Sequence, residues 1–160
     1  MLQEALPKSI LDAEILIIGV TSPLRVGVYV DKKLVDLYEK EEKTSRALPA
    51  VLSDIRQRYH LKALYYAKGP GSFMAIKVTY VMAKTLSIAC DIPLYATDAF
   101  AFNGHQPIKA VGKSCFVKRG EEIVIEQGCQ AYSNNFVLPE KLDDTLFDEA
   151  SEPLYILPAV

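Results

Sequence analysis

The stretch Leu64-Tyr-Tyr-Ala-Lys-Gly69-Pro70-Gly71-Ser72-Phe73 constrains this chain more than any other. A short run of strand formers ends at a Gly-Pro-Gly corner. Ser72 is then placed to cap a helix reaching Cys90, because its hydroxyl accepts from the first free backbone N–H groups. Periodicity gives that helix two apolar sides. Ala75, Met82, Ala83, Leu86 and Ala89 form a small-residue stripe suited to lying on a sheet. Phe73, Tyr80, Val81 and Ile88 lie opposite, interrupted only by Lys77 and Lys84. A helix apolar on both sides is buried on both sides. One side needs a sheet; the other needs a second helix, from this chain or from another protein.

The flanking sequence supplies the sheet. Glu14 to Val20 is a β-branched run without alternation, as a central strand covered on both faces requires. Leu24–Val30 and Lys33–Tyr38 follow on short turns as an antiparallel meander, and the charged run Glu39–Lys43 reads as a solvated connection. The period then changes. Ser45 is a candidate cap for a helix to about Tyr59, with Pro49 in its first turn and Leu48, Val51, Leu52 and Ile55 on one face. Lys62–Ala67 returns to strand, Ile92–Ala96 is another, and Thr97–Asn103 is a short helix ended by Gly104. The order β-β-β-α-β-α-β-α predicts an α/β lobe with a mixed sheet flanked by helices. Three segments follow: a leader (1–13), this lobe (14–104), and a thinner lobe (105–160). The last holds one plausible hairpin, Gly112–Lys118 with Glu121–Gln127, then irregular acidic sequence and a final apolar run, Leu154–Leu157.

The chemistry census is sparse. A net charge of −2 argues against a surface that grips nucleic acid unaided. His60 and His105 have no helical i, i+4 partner, so no metal is expected. No Ser is framed as a nucleophile elbow. The carboxylates at Asp143, Asp144, Asp148 and Glu149 fit a solvated loop better than a paired acid and base. Cys90, Cys115 and Cys129 form no close pair and are odd in number, which reads as reduced thiols. With no signal peptide and two lysines breaking the most apolar stretch, 73–90, the expected location is the cytoplasm, away from membranes. The corner Gly69, Pro70, Gly71, Ser72 remains as a structural turn or a weak phosphate seat.

Lys68-Gly-Pro-Gly-Ser-Phe-Met-Ala-Ile-Lys77, preceded by a strand, resembles the G-R-G-P-G-S-F-T-G-V/L-R segment of the TsaB (YeaZ) family. Other features fall in the same order. Ile15 to Thr21 stands at that family's first strand, Ser45-Arg-Ala-Leu-Pro-Ala-Val-Leu looks like its first helix, and Pro93-Leu-Tyr-Ala like the strand after the long helix. Arg119-Gly-Glu-Glu-Ile is similar to its R-x-G-E-V/I hairpin, and Glu152-Pro-Leu-Tyr-Ile to its ending. The resemblance implies an actin-like ATPase (ribonuclease H-like) lobe with a truncated second lobe. Val20 stands where the family has a strand Asp, Met74-Ala75 replaces Thr-Gly, and the metal-binding H-x-x-x-H of catalytic relatives has no counterpart.

By that resemblance the chain is a non-catalytic subunit without a cofactor. It supports a TsaD-type catalytic subunit in forming the threonylcarbamoyl modification of adenosine 37 in tRNA, with a TsaE-type ATPase joining through the complex. tRNA is then met only indirectly. The expected partner interface is Leu48, Leu52, Phe73, Lys77, Tyr80, Val81, Lys84 and Ile88, with the lysine stems lying along the apolar contact. Two other readings stand beside it: a small phosphate- or nucleotide-binding enzyme or switch using the Gly69–Ser72 loop, and a homodimer closing through the same helical face.

Overall fold

The computed structural model describes residues 10–156. Its elements run β1 (Leu11–Ile18), β2 (Leu24–Val30), β3 (Lys33–Lys40), α1 (Thr44–Arg58), β4 (Tyr59–Ala67), α2 (Phe73–Cys90), β5 (Leu94–Thr97), β6 (Ile108–Lys109), β7 (Cys115–Arg119) and β8 (Glu122–Glu126). Five strands form one sheet in the order β3-β2-β1-β4-β5, and three form a second, β6-β7-β8. β1–β2 and β2–β3 pair antiparallel; β1–β4 and β4–β5 pair parallel. This is the mixed α/β sheet that the sequence predicts, with the parallel strands joined by helical crossovers.

Local differences have local causes. β1 begins at Leu11, inside the segment expected to be a leader, because Leu11, Asp12 and Ala13 find partners in Tyr59, His60 and Leu61 of β4. Residues 1–9 of that leader, and Leu157 of the final apolar run, lie outside the described residues. α1 starts at Thr44 with Lys43 in the cap position and no side-chain cap, so Ser45 is inside the helix. The expected short helix after β5 is a 3-10 turn, Ala99–Phe102, capped by the Asp98 carboxylate, which accepts from the Phe100 N–H at 3.0 Å.

The sheet is covered on both faces. On one, Ile15, Ile17, Val26, Val28, Leu64 and Tyr66 meet α1 and α2. On the other, Leu16, Ile18, Tyr29 and Tyr65 meet Phe100, Phe102, Ile108, Phe116, Phe136 and Leu142. The C-terminal third therefore supplies the second cover of the first sheet, and a hydrophobic layer runs across the division at residues 104–105. Its irregular strap is held by single bonds at intervals. The Tyr29 hydroxyl donates to Pro139 O at 2.7 Å, the Leu142 N–H to Lys32 O at 2.8 Å, and the Leu154 N–H to Lys68 O at 2.7 Å. Lys32 ties Glu14 (2.7 Å) to Asp144 (3.2 Å). Tyr65 donates to Glu14 at 3.0 Å and stays protonated, because burial and the neighbouring carboxylate push it up to about 12.

The cysteines depart from expectation. Cys115 and Cys129 form a disulfide, with Cα atoms 5.7 Å apart; Cys90 is free and half-buried. Hairpin geometry brings them together: Cys115 opens β7 opposite Glu126 of β8, and beyond β8 the Cys129 N–H donates to Lys113 O at 2.9 Å. The odd leftover thiol is Cys90, so the cysteines give no support to a wholly reduced chain.

The Gly-Pro-Gly corner joins β4 to α2 by close backbone contact. Gly69 has φ +124°, a region that disfavours side chains, and Gly69–Pro70 is cis. A Cβ on Gly71 would lie 2.5 Å from the Val20 carbonyl oxygen, and the adjacent Ser72 N–H donates to that same oxygen at 2.8 Å. Two variants test this packing. Gly71→Ala should lower the unfolding midpoint in urea, because the methyl collides with backbone that has no softer alternative. Leu48→Ala, at a fully buried position, should cost about 2–5 kcal/mol by the same measurement; a change under about 0.5 kcal/mol would return Leu48 to the surface.

Candidate interaction face on the two helices

α1 and α2 lie side by side on one face of the sheet. Both precede a parallel strand, so both run in the same direction. α2 places Ile76, Thr79, Ala83 and Leu86 against the core. This is rotated from the expected stripe of Ala75, Met82, Ala83, Leu86 and Ala89: Ala83 and Leu86 keep their place, while Ala89 is exposed. Polar Thr79 is accepted in the buried row because its hydroxyl donates to Ala75 O at 2.9 Å.

The outward side is bare and apolar. Met74 is 70 % exposed, Val81 51 % and Ile88 72 %. Val78 and Thr85 fall between them, so the strip runs 74, 78, 81, 85, 88, alternating steps of four and three as in a helix–helix seam. By length and composition α2 would pass for a membrane span, yet 28 % of its residues are buried. Its inner face is one layer of the α/β lobe, so the outer apolar side chains are what remains unaccounted for. Beside the strip, a groove of about 650 Å³ runs between the helices, bordered by Pro49, Ser53 and Arg56 of α1 and by Val81, Thr85 and Ala89 of α2.

The residues expected at an interface separate into two groups. Val81, Ile88, Lys77 and Lys84 are exposed on the outward side, with the lysines on the flank away from α1. Leu52 is 7 % exposed at the groove floor. Leu48 is wholly buried against the sheet and cannot touch a partner. Tyr80 turns inward, packs on the core and lies 6.2 Å from the Tyr66 ring. Phe73 is 42 % exposed but rests edge-on against Tyr155, 5.2 Å between centroids. The expected set omits Met74 and Val78, which the four-three spacing along α2 locates.

The corner itself is committed to its own chain. The Ser72 N–H is taken by Val20 O, and Ser72 Oγ accepts from the Ala75 N–H at 3.4 Å. The Gly69 carbonyl accepts from the Ala99 N–H at 2.7 Å. Burial pushes the Tyr66 hydroxyl well above its ordinary range, and it remains a donor to Ser151 O nearby. A cleft of about 710 Å³ opens between Ser72–Phe73 and the hairpin, walled mainly by Val111, Phe116, Ile125 and Ile156. Its cation, Lys109, is bonded to Gly112 O and lies 5.8 Å from the Tyr132 ring centroid. Among the described residues no group of three or more His, Cys, Asp or Glu is placed to hold a metal.

Comparison with known proteins fits this geometry. The family of TsaD, tRNA N6-adenosine threonylcarbamoyltransferase, matches residues 41–106, the segment that holds both helices. The tRNA threonylcarbamoyladenosine biosynthesis protein TsaB of Bacillus subtilis (strain 168) is 29 % identical over 107 residues, covering 62 % of this chain and 45 % of that one. The chain thus spans about half the length of that curated relative. YeaZ from Pseudomonas aeruginosa superposes with a TM-score of 0.53 at 14 % identity, covering 72 % of this chain and 64 % of that one. A second structure, of an uncharacterized protein with similarity to peptidase YEAZ from the same organism, superposes equally well at 14 % identity over 73 % and 67 %. The chain therefore has the fold of YeaZ, and with a TsaB relative in sequence and a Gly-Pro-Gly-Ser corner leading into α2 it is similar to the TsaB (YeaZ) family.

Proposed function

We propose that this chain is a non-catalytic subunit that binds and supports a TsaD-type catalytic subunit in forming the threonylcarbamoyl modification of adenosine 37 in tRNA. The observation that carries the reading is the uncovered strip on α2, Met74–Val81–Ile88, beside the groove along α1. Fully burying such side chains contributes about 1.5–3 kcal/mol each. Two helices laid on two more from a partner make a four-helix layer that achieves this burial. Support also comes from what the corner lacks: its Ser72 N–H serves Val20, and that position just past β1 holds a valine rather than a carboxylate for a metal-bound phosphate. A TsaE-type ATPase then joins through the complex, tRNA is met through the partner, and the setting is the cytoplasm, where tRNA is modified. A homodimer through the same face, the other reading of that strip, would compete with the partner for it. No cofactor is part of this role.

The test is co-expression with the TsaD-type subunit of the same organism, followed by gel filtration. Wild type should co-elute with it, and Val81→Asp or Ile88→Asp should abolish co-elution while leaving the circular dichroism spectrum and unfolding midpoint near wild type. Tyr80→Glu is unsuited to this purpose, because Tyr80 packs on the core. Co-elution of both aspartate variants would contradict the reading. The phosphate-binding alternative predicts heat on titrating the isolated chain with ATP, weakened by Ser72→Ala; no heat is expected.

A further inference from the structure

The outward face of the two helices is charged with one sign. Together α1 and α2 carry five cationic residues, Arg46, Arg56, Arg58, Lys77 and Lys84, and one carboxylate, Asp54, in a chain whose net charge is −2. Asp54 is not on the face. It accepts from the Tyr38 hydroxyl at 2.5 Å and pairs with Arg58 at 3.3 Å, on the side of α1 turned toward β3. That leaves Arg46, Arg56, Lys77 and Lys84 exposed. None of these four pairs with a carboxylate among the described residues. Arg56 borders the groove from α1, and Lys77 and Lys84 follow the apolar strip along its far flank. Carboxylates come near only at the ends: Glu41 and Glu42 in the loop beside Met74 and Val78, and Asp91 just past the last turn.

Resting on the reading that this face docks a partner, we propose that its occupant is a helical protein surface whose apolar seam is bordered by Asp and Glu, and that the same charges select against a second copy of this chain. Two such faces meeting about a two-fold axis bring the cationic flanks of both copies to one seam. Like charges set opposite each other oppose that pairing, while carboxylates across the seam favour a heterologous partner and speed its encounter. The lysine stems still lie along the apolar strip, so the charge is presented at the rim without a desolvation cost at the centre.

Affinity for the TsaD-type subunit is measured with the full chain at about 50 mM and about 500 mM NaCl, where screening lengths differ roughly threefold. The variants are Lys77→Glu/Lys84→Glu and Val81→Asp, each checked by its unfolding midpoint. At low salt the double charge reversal should weaken binding about tenfold or more, with the gap closing at high salt, whereas Val81→Asp should weaken it at both. Sedimentation of the chain alone should show tighter self-association for the reversal than for wild type at low salt. If the reversal binds like wild type with the same salt dependence while Val81→Asp is lost, the charge inference is overturned and docking stands. If Val81→Asp also binds like wild type, the docking reading itself fails. Low-salt binding of bare tRNA by the isolated chain, lost in the reversal, would assign the cations to nucleic acid and overturn the proposal as well.

Discussion

The Ser72 amide N–H donates to the Val20 carbonyl oxygen, 2.8 Å from nitrogen to oxygen, across a corner where Gly71 leaves no room for a side chain. That contact joins the ends of two neighbouring parallel strands to the N-cap of α2. Because a helix is rigid at this length, anchoring its first turn against β1 sets its rotation along all 18 residues. The rotation decides that Ile76, Thr79, Ala83 and Leu86 face the sheet, and that Met74, Val81 and Ile88 face outward. The corner acts as a geometric stop for the helix. The donor that a phosphate oxygen would need is spent on keeping the helix in place.

Covering the other face of the sheet falls to the C-terminal third. It holds few regular elements, so it works by large side chains inserted at intervals, Ile108, Phe116, Phe136 and Leu142, and by backbone bonds to strand ends. The hairpin of β7 and β8 carries a covalent staple between Cys115 and Cys129 as well. This division of labour leaves α1 and α2 with one face satisfied by the sheet and one unsatisfied. An uncovered strip of large apolar side chains is unusual on a lone chain, and the proposed contact surface rests on it.

How much of this is legible in the sequence depends on range. The strand–corner–helix unit and the meander are written in local period and turn chemistry, and the sheet order follows from short connections. The two-sided helix is also readable, because apolar residues occur all round it. Its rotation is not readable to within one residue. Tyr80 and Val81 sit 100° apart, and tertiary contacts, that at Val20 and the packing of Ile76, Ala83 and Leu86 on the core, decide that the first turns in and the second out. Leu48 shows a related limit: helical spacing identifies an apolar face on α1 but not whether this chain or another covers it. The disulfide joins residues 14 apart through a hairpin register that composition does not encode. Leu11 to Ala13 became strand because β4 extends back to Tyr59 and offers them partners.

The most direct test of an outward strip made for another polypeptide is the oxidation rate of Met74, whose side chain is largely exposed at one end of the strip. Hydroxyl-radical footprinting with mass spectrometry measures it in the free chain and in the presence of the TsaD-type subunit. Tyr132, exposed on the C-terminal third, serves as the internal standard. Partner binding should slow Met74 oxidation several-fold and leave Tyr132 unchanged. An assembled complex in which Met74 oxidises at the free-chain rate would show that the partner sits elsewhere, and would contradict docking on the strip.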